Sequence, residues 1–251
     1  MIAFVRRTVS IAAVASLGLL ALTACATAPA RPRPIAGPPP SAEDALAAYR
    51  TDIESEEAQQ ASVSPEEIEF FRNATRKRLG DRAKNFDIVI FINKAGSGPT
   101  AQHAFLFQHG ADGSLEPLDV WLVSTGREKQ ETSPKGAQKF TTTPQGVFQF
   151  DVGHFSRLHK SNAWEADMPY AMFLRTQSGG PTTGIALHAA LDKYIHNLGQ
   201  RASAGCIRLL PSNAEKLWKK LMRGDKGVVI IQDMDEAEVS SLAAEPSTAI
   251  R

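Results

Sequence analysis

The chain has 251 residues, 43% of them hydrophobic and 22% charged, proportions that suit one or two globular domains. Its net charge of +1 supplies no basic footprint, so no nucleic-acid partner is expected. Two cysteines, Cys25 and Cys206, cannot build a disulfide framework or a thiolate metal site, and no H-E-x-x-H occurs, so neither a metal nor a cofactor is expected.

Arg6 and Arg7 precede an apolar run from Val9 to Leu22, and small residues follow. That order describes an export signal over residues 1–25, not a membrane span. The stretch Leu22-Thr23-Ala24-Cys25 resembles the lipobox of bacterial lipoproteins, which implies that Cys25 is diacylated and becomes the new N-terminus. Ordinary cleavage at a nearby A-x-A is the alternative. Ala26, where an aspartate is lacking, implies an outer-membrane address, so the expected location is the cell envelope, with a lipid anchor holding the protein to the membrane. A lipidated Cys25 leaves Cys206 without a disulfide partner, and an unpaired thiol in an exported protein is a candidate reactive group.

Residues 26–40, with "APARPRPIAGPPP", read as an extended Pro-rich tether. Residues 41–84 form a helical segment. Ser41 opens "SAED", a capping box before Ala45, Leu46, Tyr49 and Ile53. In "SPEEIEFFRNATRKRLG", Ser64 caps, Pro65 fits the first turn, Glu67 completes the box and Gly80 stops the helix. Ile68, Phe71, Thr75 and Leu79 make its inner face. Whether this segment packs on the main domain or stands apart to bind a partner is open at this point.

From residue 85 to 233 the texture is that of strands: "FDIVIFIN", "HAFLFQ", "LDVWLVS", "TTTPQGVFQF", "MPYAMFL", "GIALH", "GCIRLL" and "GVVIIQ". One helix interrupts them at "PSNAEKLWKKLMRG", with a capping box from Ser212 and Glu215 and an inner face of Leu217, Trp218, Leu221 and Met222. The fold class expected is mainly β, a β-rich α+β domain preceded by helices. Residues 234–251 read as a disordered tail.

His188 ends the strand "GIALH", and Cys206 lies 18 residues later in "SAGCIR". A cysteine is the strongest side-chain nucleophile once deprotonated, and a nearby imidazole takes its proton and later protonates a leaving amine. Gly205 permits a tight backbone turn, with neighbouring N–H groups available to an oxyanion. If "CIR" is extended, Cys206 and Arg208 share a face while Ile207 points into the core. His154 and His159 either rim a groove or are solvated loop residues. His103, His109 and His196 read as surface or hairpin positions.

Ser203-Ala204-Gly205-Cys206-Ile207-Arg208 resembles the S-x-G-C-[IV]-R signature of the YkuD-type L,D-transpeptidases, with His188 at the family's upstream distance. "STGREKQETSPKGAQKFTTTPQGVFQF", "MPYAMF" and "GDKGVVI" resemble further family segments in the same order, over roughly residues 86 to 232. The resemblance implies acyl transfer on peptidoglycan stem peptides. Cys206 is the implied nucleophile, His188 its base, and Arg208, Gly205, Ser203 and Tyr170 the implied substrate or oxyanion residues. D-alanine leaves, and an amine resolves the thioester, either another stem's, giving a 3→3 cross-link, or a lysine of a lipoprotein acceptor. Two positions depart from the family pattern: Ala189 stands where glycine often follows the histidine, and Ala204 where histidine often precedes Gly-Cys. The alternatives are hydrolysis by water on the same fold, which makes an amidase, and a murein-binding lipoprotein without catalysis. A sortase-like enzyme is disfavoured by the short spacing from 188 to 206.

Mass spectrometry of the mature N-terminus is expected to find acylated Cys25 as the first residue. A protein that starts beyond Cys25 and carries no acyl chain would overturn the lipobox reading.

Overall fold

The stretch from Ile88 to Asn93 is buried at every position, the mark of a strand covered on both faces. The computed structural model describes residues 63–110, 112–176, 180–235 and 239; the export signal, the tether and the helix expected after Ser41 lie outside them. Eleven strands are described: β1 (Ile88–Asn93), β2 (His103–His109), β3 (Leu115–Leu122), β4 (Gln130–Thr132), β5 (Gln138–Phe140), β6 (Gly146–Phe150), β7 (Ser156–Lys160), β8 (Asp167–Thr176), β9 (Thr182–Ala189), β10 (Ile207–Leu209) and β11 (Gly227–Gln232). The α-helices among the described residues are α1 (Pro65–Leu79), the short α2 (Asp192–Ile195) and α3 (Pro211–Met222).

One sheet runs β10-β9-β8-β6-β11-β1-β2-β3, with β7 paired to β8 off this path, and β4 and β5 form a separate hairpin. The pairs β1–β11 and β9–β10 are parallel, and the other pairs are antiparallel. Alternation along the strands sends side chains to two cores. Ile88, Ile90, Ile92, Leu106, Val229 and Ile231 pack with Leu217, Trp218 and Leu221 of α3. Val89, Phe91, Phe105, Phe107, Val228 and Ile230 pack with Phe70, Phe71 and Leu79 of α1. The rings of Phe71 and Phe105 stack with centroids 3.9 Å apart, so α1 is part of the domain rather than an appendage.

The α1 start follows its sequence closely. Ser64 Oγ accepts from Glu67 N–H, Glu67 returns the bond to Ser64 N–H, and Pro65 occupies the first turn. Phe71, Thr75 and Leu79 are buried, Phe70 joins them, and Ile68 is only partly covered.

Four expectations need correction. No Ser212 cap forms on α3: the helix already begins at Pro211, whose ring presets the first turn and whose missing N–H needs no partner. Glu215 instead accepts from the Tyr170 hydroxyl. Met222, at the last helical position, is 53% exposed, while the buried stripe runs Ala214, Leu217, Trp218, Leu221. The tail expected from residue 234 does not begin at Met234, and most of its remainder lies outside the described residues. Met234 is 3% exposed, and the Asn93 side chain accepts from its N–H and donates to its carbonyl. His103 is buried in β2 with Nδ1 donating to the Ala101 carbonyl, not a surface residue.

Candidate active site

The site is built by the parallel pairing of β9 and β10. Arg208 lies opposite His188, Ile207 opposite Leu187, and Leu209 opposite Ala189. Register partners in a sheet share a face. Ile207, Leu209, Leu187 and Ala189 are all buried in the core beneath α3. Arg208 and His188 therefore project from the other face. Cys206, two residues before Arg208, joins them and packs beside Ala186, Met168, Ala171 and Phe173. The shared face expected of Cys206 and Arg208 is present, and His188 is on it.

His188 is 6% exposed, and its Nδ1 lies 2.8 Å from the Ala189 carbonyl oxygen. A carbonyl only accepts, so Nδ1 carries the proton and Nε2 is left as the free acceptor. Burial pulls the imidazole down to about 4; the carbonyl bond opposes this, and the charges of Arg208 and His159 add to it. Cys206 is half-buried. Burial pushes its thiol above the ordinary value, against the Ala186 N–H and the Arg208 charge, which favour the thiolate. Near neutral pH the resting pair is a neutral thiol beside a neutral imidazole.

The loop before Cys206 is fixed from within. Ser203 is 1% exposed; its Oγ accepts from Gly205 N–H at 3.1 Å and donates to the Cys206 carbonyl. Ser203 therefore braces the loop before Cys206 and is too buried to touch a substrate, which corrects its expected role. Gly205 has φ +118, and a Cβ there would meet the Thr142 carbonyl oxygen at 3.1 Å. Since its own N–H is engaged with Ser203, Gly205 contributes conformation rather than an oxyanion donor. Gly126 allows a still closer approach, with the Thr141 carbonyl oxygen 1.9 Å from where a Cβ would stand.

Tyr170 is also corrected. It is 3% exposed, sits edge-on to Trp218 in the core beneath α3, and its hydroxyl donates to Glu215 at 3.0 Å. The cause is local. A left-handed φ of +52 at Tyr170 interrupts the alternation of β8, so Met168 and Ala171 pack with Cys206 while Tyr170, Met172 and Leu174 turn to the opposite core.

Arg208 has no carboxylate partner among the described residues. Its Nη1 donates to the Ala202 carbonyl at 3.3 Å, and its guanidinium lies 4.2 Å from the ring centroid of Tyr194 in α2. Burial works against its charge. Arg127 shares the Ala202 carbonyl at 2.7 Å, but Glu131 grips it with both carboxylate oxygens. That grip holds the Glu131 carboxyl at about 2. So Arg127 is neutralised and Arg208 is open to an anion. His159 belongs to β7, with its ring edge-on to Phe173, and so stands near the site, whereas His154 is exposed and pairs with Asp151 at 2.9 Å. Arg127, Tyr194 and Thr143 (below) went unrecognised in the sequence. Of these, Arg127, directly after "STG", and Thr143, in the T-P-x-G-x-F element, carried a signal, both within the stretch that resembles the family. Among the described residues, no group of three or more His, Cys, Asp or Glu side chains gathers to hold a metal.

Solved structures similar to this chain include an L,D-transpeptidase from Xylanimonas cellulosilytica (22% identity, 59% of this chain and 61% of that one, TM-score 0.43). An L,D-transpeptidase from Stackebrandtia nassauensis is similar at 18% identity (64% and 75% of the two chains, TM-score 0.39). L,D-transpeptidase 3 from Mycobacterium tuberculosis, in complex with a faropenem-derived adduct, is similar at 18% identity (59% and 61%, TM-score 0.40). The chain spans about three fifths of the length of the structures heading this group. No curated protein sequence matches it. The model of the YkuD L,D-transpeptidase catalytic domain matches residues 87–231, more than half of the chain and all but the last residue of the sheet that carries Cys206, His188 and Arg208, and the chain belongs to that family.

Proposed function

We propose that this protein is a cysteine-dependent L,D-transpeptidase acting on peptidoglycan stem peptides. The observation that carries the reading is the common face of β9 and β10, where Cys206, His188 and Arg208 meet with the His188 tautomer fixed by the Ala189 carbonyl. In the first half-reaction, Cys206 Sγ attacks the carbonyl linking the third stem residue to the terminal D-alanine, and its proton passes to His188 Nε2. The tetrahedral oxyanion collapses as the imidazolium returns that proton to the departing amine. D-alanine leaves, and a thioester remains on Cys206. In the second half, an acceptor amine attacks the thioester, His188 takes its proton, and the amide product departs as the proton returns to sulfur. Arg208, unpaired and partly desolvated, holds a stem carboxylate or the developing negative charge beside the reacting carbon. The amine is either a second stem or a lysine of a lipoprotein, and the lipobox reading places the reaction in the envelope.

Carbapenems present a strained amide to the same nucleophile, so incubation is expected to add the mass of one ring-opened drug at Cys206. Cys206→Ala should carry no adduct and no activity on tetrapeptide muropeptides, because neighbouring groups supply no nucleophile. An active Cys206→Ala protein would end the mechanism. Mass spectrometry of the muropeptide products also separates an amine acceptor from water.

The pH profile tests His188. The base must be neutral, and burial depresses its pKa, so the working form persists well below the ordinary histidine range. The acid limb of kcat/KM is expected at about 4. A limb near the ordinary 6.5 instead would mean that His188 is solvated or is not the base.

A surface arginine contributes at most a few tenths of a kcal/mol, whereas one donating to a charged group in a groove is worth about 1.5–3 kcal/mol. Arg208→Ala should thus lower kcat/KM by roughly ten- to a hundred-fold with the circular dichroism spectrum unchanged, and Arg208→Lys should recover only part, having lost the planar fork. A folded alanine variant at full rate would remove Arg208 from the mechanism.

A further inference from the structure

Behind the nucleophile's loop lies a buried polar assembly that the transfer chemistry does not itself use. Thr143 is fully buried; its Oγ1 accepts from Gly126 N–H at 2.8 Å and donates to the Gly205 carbonyl at 2.7 Å. The Thr143 backbone is clamped in turn. Its carbonyl accepts from Lys94 Nζ at 2.6 Å, and its N–H donates to Glu128 Oε1 at 3.1 Å. Lys94 and Glu128 pair with each other at 2.8 Å, and Lys94 is 3% exposed. Gln102, wholly buried, ties this layer to the strand before it by donating to the Lys94 and Ala95 carbonyls and accepting from Thr125 N–H. Gln102 and Glu128 both hold left-handed backbone, φ +56 and +58, which non-glycine residues adopt only where the surroundings enforce it.

The Gly205 carbonyl and the Cys206 N–H belong to one planar trans peptide and point in opposite directions. A hydroxyl that pins the carbonyl towards Thr143 therefore aims the Cys206 N–H away from it. No described residue accepts from that N–H, whereas the Gly205 N–H is spent on Ser203. We infer that Thr143, held by the Lys94–Glu128 pair, is a positioning residue that fixes the Gly205–Cys206 peptide so that the Cys206 N–H is a preorganised donor to the oxyanion. The inference rests on Cys206 being the nucleophile. It follows from the geometry that Thr143 matters only where an oxyanion forms.

That gives a test with an internal control. Acylation of Cys206 by a carbapenem passes through a tetrahedral oxyanion, and alkylation by iodoacetamide does not. Thr143→Val keeps the side-chain shape and loses the hydroxyl; it should slow carbapenem acylation by roughly ten- to a hundred-fold while alkylation stays within about twofold of wild type. Thr143→Ser should restore acylation. If the valine methyl prevents folding, Thr143→Ala removes the hydroxyl without it and carries the same expectation. Equal loss of both reactions would mean that Thr143 merely supports the loop, and unchanged acylation would mean that it aims nothing; either result overturns the inference alone. A wild-type protein that iodoacetamide alkylates but no carbapenem acylates would overturn the catalytic reading itself.

Discussion

The register of β9 against β10 is the constraint on which the site depends. Side-chain direction in a strand has a period of two, so sliding β10 by one residue would turn Ile207 and Leu209 outward and drive Arg208 into the core. The register is held from one face and from the free edge of the short strand. Ile207 and Leu209 are fully buried beneath α3, and a slip would exchange that apolar surface for a guanidinium. On the free edge of β10, Arg208 exchanges both backbone hydrogen bonds with Ser124, at 3.0 and 3.1 Å. Three residues would be a weak strand alone; anchored between β9 and Ser124, they become a fixed platform.

Burial sets the chemistry of that platform. A thiolate–imidazolium pair needs two charges that water or neighbours stabilise, and here desolvation opposes both. The stable resting state keeps the proton on sulfur and leaves Nε2 empty. In the proposed transfer, deprotonation is then coupled to attack, when negative charge moves from sulfur to the substrate oxygen and the donors facing it take effect. The unpaired Arg208 belongs to the same logic. A fully neutralised guanidinium, such as Arg127 beside Glu131, has little left to offer an incoming anion.

Much of this was legible in the residues. The continuous apolar runs at Ile88–Asn93 and Gly227–Gln232 announce strands covered on both faces, and Ser64, Pro65 and Glu67 announce the start of α1. Cys206, Arg208 and His188 were visible because alternation and spacing are local. What escaped is what alternation and spacing do not carry, whether its cause is distant or next door. β4, β5 and β7 are short and polar, with no alternation to betray them, and β5 is wholly exposed. Tyr170 falls on the substrate side by family resemblance alone; the left-handed turn of its own backbone moves it to the other core. Ser203 looked like a polar residue for substrate, yet its partners, Gly205 N–H and the Cys206 carbonyl, are only two and three residues away and enclose it. Ser212 looked like a cap, but Pro211 had already opened the helix.

The buried polar layer behind the loop is the hardest to read and explains the most. A lysine at 3% exposure is costly unless a carboxylate and further acceptors meet it, and Lys94 finds Glu128 and the Thr143 carbonyl. Residues 94, 102, 128 and 143 carry no periodic signal, since their partners lie across different strands and loops. An apolar layer of equal volume would pack as stably in many cases, but it would not point. Hydrogen bonds have direction, and the peptide between Gly205 and Cys206 has one rotational choice to make. Gly205, with a left-handed φ and no side chain, is free to choose wrongly. The directional contacts from Thr143 and Ser203 remove that freedom at the one peptide bond whose orientation decides where the Cys206 N–H is aimed.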